Sequence, residues 1–318
     1  MARASSTETA IPVEDILARE SEWRVRVAIA SVLAGLLTLG GGIAAGLIYQ
    51  DFPRVLLLDA LRDAAGLDIG RPGLRTLQIQ FYDDHMVELL VLSVALAFGA
   101  LLMGATLAYL AQATAARRAE FPRSVIYAVV AGPVLMAVSE LMLQVVVAVR
   151  ASDFVSGGDL STQAAHDALR SDFLVVSQIL RQVGLLAIGF AFVLVALNAM
   201  RAGLLTRFMG TLGIIVGVLF VIPLGGQLPV VQSFWLIAMG LLIGGYWPGG
   251  GLPPAWQTGR AEPWPTQQEL REQRERAAAG QKADRVDAPE APKDAPPPAP
   301  GTPVRPPHPS SKKKRKRR

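Results

Sequence analysis

Residues 27–49 read VAIASVLAGLLTLGGGIAAGLIY, twenty-three positions without one charged side chain. A run of that length leaves few solutions. About 20 apolar residues carry a helix across the hydrocarbon core of a bilayer, and a soluble surface helix keeps one polar face. Five further windows follow at 87–111, 125–149, 173–199, 208–224 and 230–246. The first four windows are long enough to span with tilt, and the last two lie near the minimum of about 17 residues. "GGQLP" (225–229) separates that last pair. Two glycines and a proline make a tight turn, so the pair reads as a helical hairpin. A re-entrant pair that turns back without crossing is the alternative. The expected fold class is an all-α integral membrane protein, a six-span helical bundle over 27–246. Segment 1–26 precedes it and segment 247–318 follows.

Charge fixes the expected orientation. Only 18% of the residues are charged, against roughly 25% in a soluble domain. Arg19, Arg24 and Arg26 precede the first window, Arg117, Arg118 and Arg123 follow the second, and Arg201 and Arg207 follow the fourth. Acids outnumber arginines in the other two long loops, through Asp51, Asp59, Asp63, Asp68, Asp83 and Asp84, and through Asp153, Asp159, Asp167 and Asp172. The positive-inside rule then puts both termini in the cytoplasm. Trp23, Trp247 and Trp256 flank the outermost windows on that side, as interfacial aromatics do. About two dozen residues with five acids precede the first window, unlike the short basic start of a signal peptide, so that window reads as a retained anchor. Arg, Ala, Gly and Val richness suggests a bacterial source, hence a bacterial inner membrane.

Two local patterns stand out. In PRVLLLDALRDAAG, Leu57, Leu58, Leu61, Ala64 and Ala65 share one helical face, with Asp59, Arg62 and Asp63 opposite. That suits a short helix on the outer membrane surface, or one packed on the outer ends of the spans. Gly42 and Gly46, Gly213 and Gly217, and Gly240 and Gly244 have the Gly-xxx-Gly spacing that lets helix backbones approach. The spans should therefore pack on one another, and a homo-oligomer is compatible with the pattern.

An arginine interrupts the fourth window. Seventeen residues separate Arg123 from Glu140, and twenty separate Arg181 from Arg201. At 1.5 Å per helical residue, Glu140 and Arg181 lie roughly 25 and 30 Å from the cytoplasmic arginines, about one depth. Glu140 and Gln144 are i,i+4 on one face, and Gln178, Arg181 and Gln182 cluster on another. These five residues form a candidate polar layer between the third and fourth windows. An intramembrane ionisable residue defaults to a functional reading, here a substrate or ion path. Arg181 snorkelling to headgroups, or an ion pair that sets helix register, is the structural reading. Gly132-Pro133 lies just before this layer and suits either.

Catalytic signatures are missing. There is no nucleophile elbow, phosphate-binding loop or kinase set, and the chain has no cysteine. His85 with Glu88 and His166 with Asp167 are the candidate metal ligands, although no HExxH motif joins them. No metal, cofactor or enzymatic activity is expected.

After residue 247 the composition turns to Pro, Gly and charge. WPGGGLPPAWQTGRAEPWP should hug the membrane or dangle. Thr266 and Glu269 match a capping box and Gly280 a stop, predicting a charged helix over 266–279. Residues 281–311 read as disordered. The end is Lys312, Lys313, Lys314, Arg315, Lys316, Arg317 and Arg318. Such a block binds anionic lipid or another polyanion by charge. No aromatic residue interleaves it, so specific nucleic-acid binding is not expected.

LNAMRAGLLTRFMGTLGIIVGVLFVIP (197–223) carries one resemblance, through Asn198, Arg201, Gly203, Leu204, Arg207 and Gly210. It is similar to the fourth-to-fifth span region of small bacterial multi-pass membrane proteins of unknown function. The resemblance implies the topology and no catalytic residues. Two functions fit. One is a noncatalytic scaffold or accessory protein whose basic tail engages lipid or a partner. The other is a small transporter or channel built on the polar layer.

Overall fold

The computed structural model describes residues 12–222, 229–247 and 252–262. The predicted helix 266–279, the segment 281–311, the basic block 312–318 and most of the GGQLP turn lie outside the described residues. By its contacts the chain divides into Met1–Trp264 and Pro265–Arg318, and the described residues all belong to the first unit. Among them the regular structure is helical throughout.

Four helices are long and apolar enough to cross a membrane: α1 (Val13–Ile48), α4 (Met86–Arg117), α5 (Arg123–Gly157) and α7 (Asp172–Arg201). Short helices α2 (Leu57–Ala64) and α3 (Thr76–Asp84) join α1 to α4, and α6 (Thr162–Ala168) joins α5 to α7. α8 (Arg207–Val221) and α9 (Val230–Gly244) are shorter apolar helices, and α10 (Pro254–Thr258) closes the described chain. Contacts run α1–α4–α5–α7–α8–α9 and back to α1, so the six apolar helices form a ring, with α4 also touching α7 across it. Much of the outer surface is apolar: Ile29, Leu33 and Leu36 on α1, Val130, Val134 and Val138 on α5, and Ile179, Val183 and Phe190 on α7 all face outward. Patches of that extent are rare on soluble monomers and fit a protein surrounded by lipid.

Small residues set the ring's close contacts. A Cβ on Gly132 would meet the Ile188 backbone at 2.9 Å, and one on Gly184 the Met136 nitrogen at 3.0 Å, so α5 and α7 run antiparallel nearly backbone to backbone. Gly213 and Gly217 of the expected glycine pairs seat α8 on α7, against Ala196 and Val193, and Gly240 seats α9 on α1 at Ala28 and Val32. Gly46 is different: nothing lies within 4 Å of its Cβ position. α5 continues through Pro133, whose ring rests on Gly104 of α4.

The final hairpin is shorter than its sequence windows. α8 and α9 have 15 residues each, about 22 Å at 1.5 Å per residue, against a hydrocarbon core of about 30 Å. Ile222 leaves helical geometry at φ −119° and ψ 97° because Pro223 follows it. Gly245 ends α9 at φ +82°, a left-handed C-cap. The register agrees. Ser233 and Ile237 lie against Gly35, while α1 runs on to Ile48. Val221 lies against Gly189, while α7 reaches back to Asp172. The hairpin therefore stops short of the end where α1 finishes.

That far end carries a small cap. Ile79 of α3, Ala151 and Phe154 of α5 and Ala165 of α6 form a second core, separate from the main one. Ser161 caps α6 by accepting from the Ala164 nitrogen at 3.2 Å. α2 forms where the apolar face was read, and Leu57, Leu58 and Leu61 are all exposed. No α2 residue is buried, so the apolar face is not packed on the helix ends.

Candidate functional site

Glu140 on α5 and Arg181 on α7 meet at the level that helix rise predicts. The Arg181 Nη1 lies 3.7 Å from the Glu140 Oε2, with side chains 51% and 27% exposed respectively. Gly132 and Gly184, one or two turns away, hold the two helices close enough for the pair. The rest of the layer is uneven. Gln144 is half-buried, and its Nε2 has no hydrogen-bond partner. Gln178 and Gln182 are exposed. They lie on the α7 stripe that α8 covers lower down at Gly189 and Val193, beyond the point where α8 stops. The five residues line an open face of the bundle and do not enclose a chamber.

Aromatic rings border this face. Tyr49, Phe52, Phe81 and Tyr82 pack edge to face or tilted, with centroids 5.2–6.5 Å apart. Burial pushes the Tyr82 phenol above its ordinary range, so it stays neutral.

His85 is held by other contacts. The His85 ring stacks on Phe81 at 4.2 Å and its Nδ1 lies 3.1 Å from the Phe81 carbonyl, leaving Nε2 4.0 Å from Glu88. His166 is exposed, and the Asp167 carboxylate accepts from the Gln163 Nε2 at 3.1 and 3.2 Å. Among the described residues no three His, Asp or Glu side chains gather as a metal site would require. Lys312 to Arg318 lie outside the described residues.

Among the described residues the most completely buried charges are elsewhere, and sequence reasoning passed over them. Glu20 of α1 and Arg117 of α4 form a two-pronged ion pair at the end where α1 begins, with side chains only 8% and 0% exposed. The Arg117 Nη2 donates to the Glu20 Oε2 at 2.9 Å, and its Nη1 to the other carboxylate oxygen. The same guanidinium donates to the Ala255 carbonyl through Nε at 3.1 Å and Nη2 at 2.9 Å, and to the Ala113 carbonyl at 2.9 Å. It also lies 5.5 Å from the centre of the Trp256 ring. Tyr109 stacks on that ring at 5.6 Å and donates to the Glu20 carbonyl at 2.9 Å. Trp256 in turn donates to the Leu204 carbonyl at 2.9 Å.

This cluster corrects two expectations. Trp256 is 2% exposed, a core residue and not an interfacial one, because its indole nitrogen finds a carbonyl inside the bundle. The segment 252–262 does not dangle. It straps the α1 end of the ring, with Gly259 on Val13 and Leu17 and the Glu262 nitrogen donating to Ala202 at 3.1 Å. Gly203, at φ +78°, makes room for that segment, since a side chain there would run into the Glu262 backbone. Thr206 caps α8 immediately after, accepting from the Met209 nitrogen at 3.2 Å. The residues that carry the resemblance thus build a turn: Leu204 supplies the carbonyl, Gly203 the space and Gly210 the contact with Met200. One signal was available in sequence. Glu20 and Arg117 sit where their helices' apolar windows begin and end, but loop charges sit there too. Comparison with protein-family models, with curated proteins and with solved structures finds no match for this chain.

Proposed function

We propose that the chain is a noncatalytic multi-pass scaffold or accessory protein of a bacterial inner membrane, whose basic tail engages anionic lipid or another polyanion in the cytoplasm. Both termini face the cytoplasm in this reading. The α8–α9 hairpin is the fifth and sixth span, crossing where the bilayer thins to meet it. If it turned back inside the bilayer, the number of crossings would stay even and the C-terminus would stay on the same side.

The observation that carries the proposal is the strap. Buried Arg117 and Trp256 are committed to fixing residues 252–262 against the bundle, at the point where the tail departs. A protein whose task is to present a tail needs such a fixed root. The chain has no cysteine, so orientation is tested cleanly. Single cysteines at Asp68 and at Glu120 should differ in intact cells, the first labelled by an impermeant maleimide and the second only after permeabilisation. The reverse pattern would invert the topology and move the tail outside.

One observation favours the second reading, a small transporter or channel. The unpartnered Gln144 amide beside Glu140 is a polar group kept at a cost. Ion flux through reconstituted protein that Glu140→Gln abolishes would establish transport and displace the scaffold.

A further inference from the structure

The seam between α1 and α4 is closed in its middle and open at the end where α1 begins. In the middle, Leu37 and Ala34 lie on Gly99, and Leu96 reaches Gly41. Nearer the α1 start, α4 presents Ala105, Ala108, Ala113 and Ala116 to the seam. These side chains are too short to close it. Tyr109 and Arg117 cross the gap to Glu20 instead and hold the helices apart. The result is a groove of about 890 Å³, within the range of about 300–1,000 Å³ that ligand pockets occupy.

The groove has an apolar floor and a cationic mouth. Val27 and Ala30 face the alanines, while Arg19, Trp23 and Arg26 stand along the rim. Those three are i, i+4 and i+7, hence on one face of α1. The Arg26 guanidinium lies 5.2 Å from the centre of the Trp23 ring, which is 48% exposed. Glu20, the acid at this level of the lining, is already paired with Arg117, and Asp15 lies a turn further out. Glu22 is exposed and does not line the groove. Beside the rim, Val25, Ile29 and Leu33 face outward, so the groove opens onto the surface that lipid would cover. From Arg19 to Ala30 is about 16 Å of helix, enough for a headgroup zone and the top of one acyl chain.

We propose that this groove holds one anionic phospholipid, its phosphate on Arg19 and Arg26 and an acyl chain along Val27, Ala105 and Ala108. The inference rests on the membrane embedding proposed above. Guanidinium groups match phosphate oxygens in geometry and charge. A tryptophan between them marks the headgroup level. The narrow alanine floor takes a chain without displacing any side chain.

The test is native mass spectrometry of the full-length protein, equilibrated in mild detergent with phosphatidylglycerol or phosphatidylcholine of identical chains. One phosphatidylglycerol should be retained with about thirtyfold preference, as expected for two cations at a lipid surface. The double variant Arg19→Gln/Arg26→Gln should lose the preference. Ala108→Phe should lose the retained lipid whichever headgroup is offered. The basic tail is the same in all three proteins, so lipid bound there cancels. Retention of both lipids without preference would overturn the proposal, as would a preference that survives both variants. A dimer that Ala108→Phe converts to monomer, with lipid retention unchanged, would assign the groove to a second copy. Retention of no lipid by any of the proteins would overturn the groove proposal, whereas a protein that stays monodisperse without detergent would overturn the membrane reading itself. If Ala108→Phe fails to fold, the arginine pair decides alone, because both side chains are at the rim.

Discussion

Among the described residues two Glu–Arg pairs join one helix to another, and they differ in almost every physical respect. Glu140–Arg181 lies near one end, 3.7 Å apart, with the arginine half exposed and a neighbouring glutamine amide unpartnered. Glu20–Arg117 lies at the other end, buried, two-pronged, and tied by the same guanidinium to two backbone carbonyls. The first pair interrupts an apolar window and draws attention in the sequence. The second sits at helix ends and draws none. An ion pair's consequence follows from its burial and from the other bonds its partners make, and how conspicuous it is in the sequence says little about either.

The largest effect should come from breaking the buried pair. Arg117→Ala leaves the Glu20 carboxylate and the Ala255 carbonyl without their donor, and should cost about 3–5 kcal/mol in detergent unfolding. Loss of under 1 kcal/mol would equate the two pairs and remove the contrast. Next is Gly203→Ala. Its φ of +78° and the Glu262 backbone beside it leave no room for a methyl group, so a loss of about 1–3 kcal/mol is expected. Limited proteolysis should then release 252–262 before the bundle unfolds. Glu140→Gln, Arg181→Gln and the double variant form the third test. A pair this exposed is screened, and each single change should cost less than about 1 kcal/mol with coupling of that size or below. Coupling of several kcal/mol would make this pair the equal of the buried one.

The smallest expected effect lies outside both pairs. The Asp159 carboxylate accepts from the Ser161 nitrogen at 3.0 Å, which holds its pKa below the ordinary value. A depressed folded pKa contributes stability that is present above the unfolded value and lost as pH falls through the folded one. Acid should therefore loosen the α5–α6 turn, and Asp159→Asn should flatten that pH dependence of hydrogen exchange at Ser161.

The sequence made the apolar helices legible because their signal is long and one-dimensional. The depth of Glu140 and Arg181 was legible for the same reason: helix rise converts residue counts into distance. Leu57, Leu58 and Leu61 announced α2 by their periodicity. What stayed hidden depends on contacts far apart in sequence. Nothing near Glu20 marks Arg117 as its partner, and nothing near Trp256 marks the Leu204 carbonyl. The hairpin's shortness was half visible. Pro223 and Gly245 set its limits locally, but only the seating of Gly35 on Ser233 and Ile237 gives the level at which it stops. The α1–α4 groove was invisible, since alanines in an apolar window look like any other packing residues.

The strap has a mechanical meaning. α9 ends at Gly244, and the chain beyond it would ordinarily pull straight on that short helix. Here a tug on the tail meets Glu262 on Ala202, then Ala255 on Arg117, before any load reaches α9. The arrangement works like the strain relief on an electrical cable. Force applied to the tail would be delivered to α7 and α4, and the short α9 is spared.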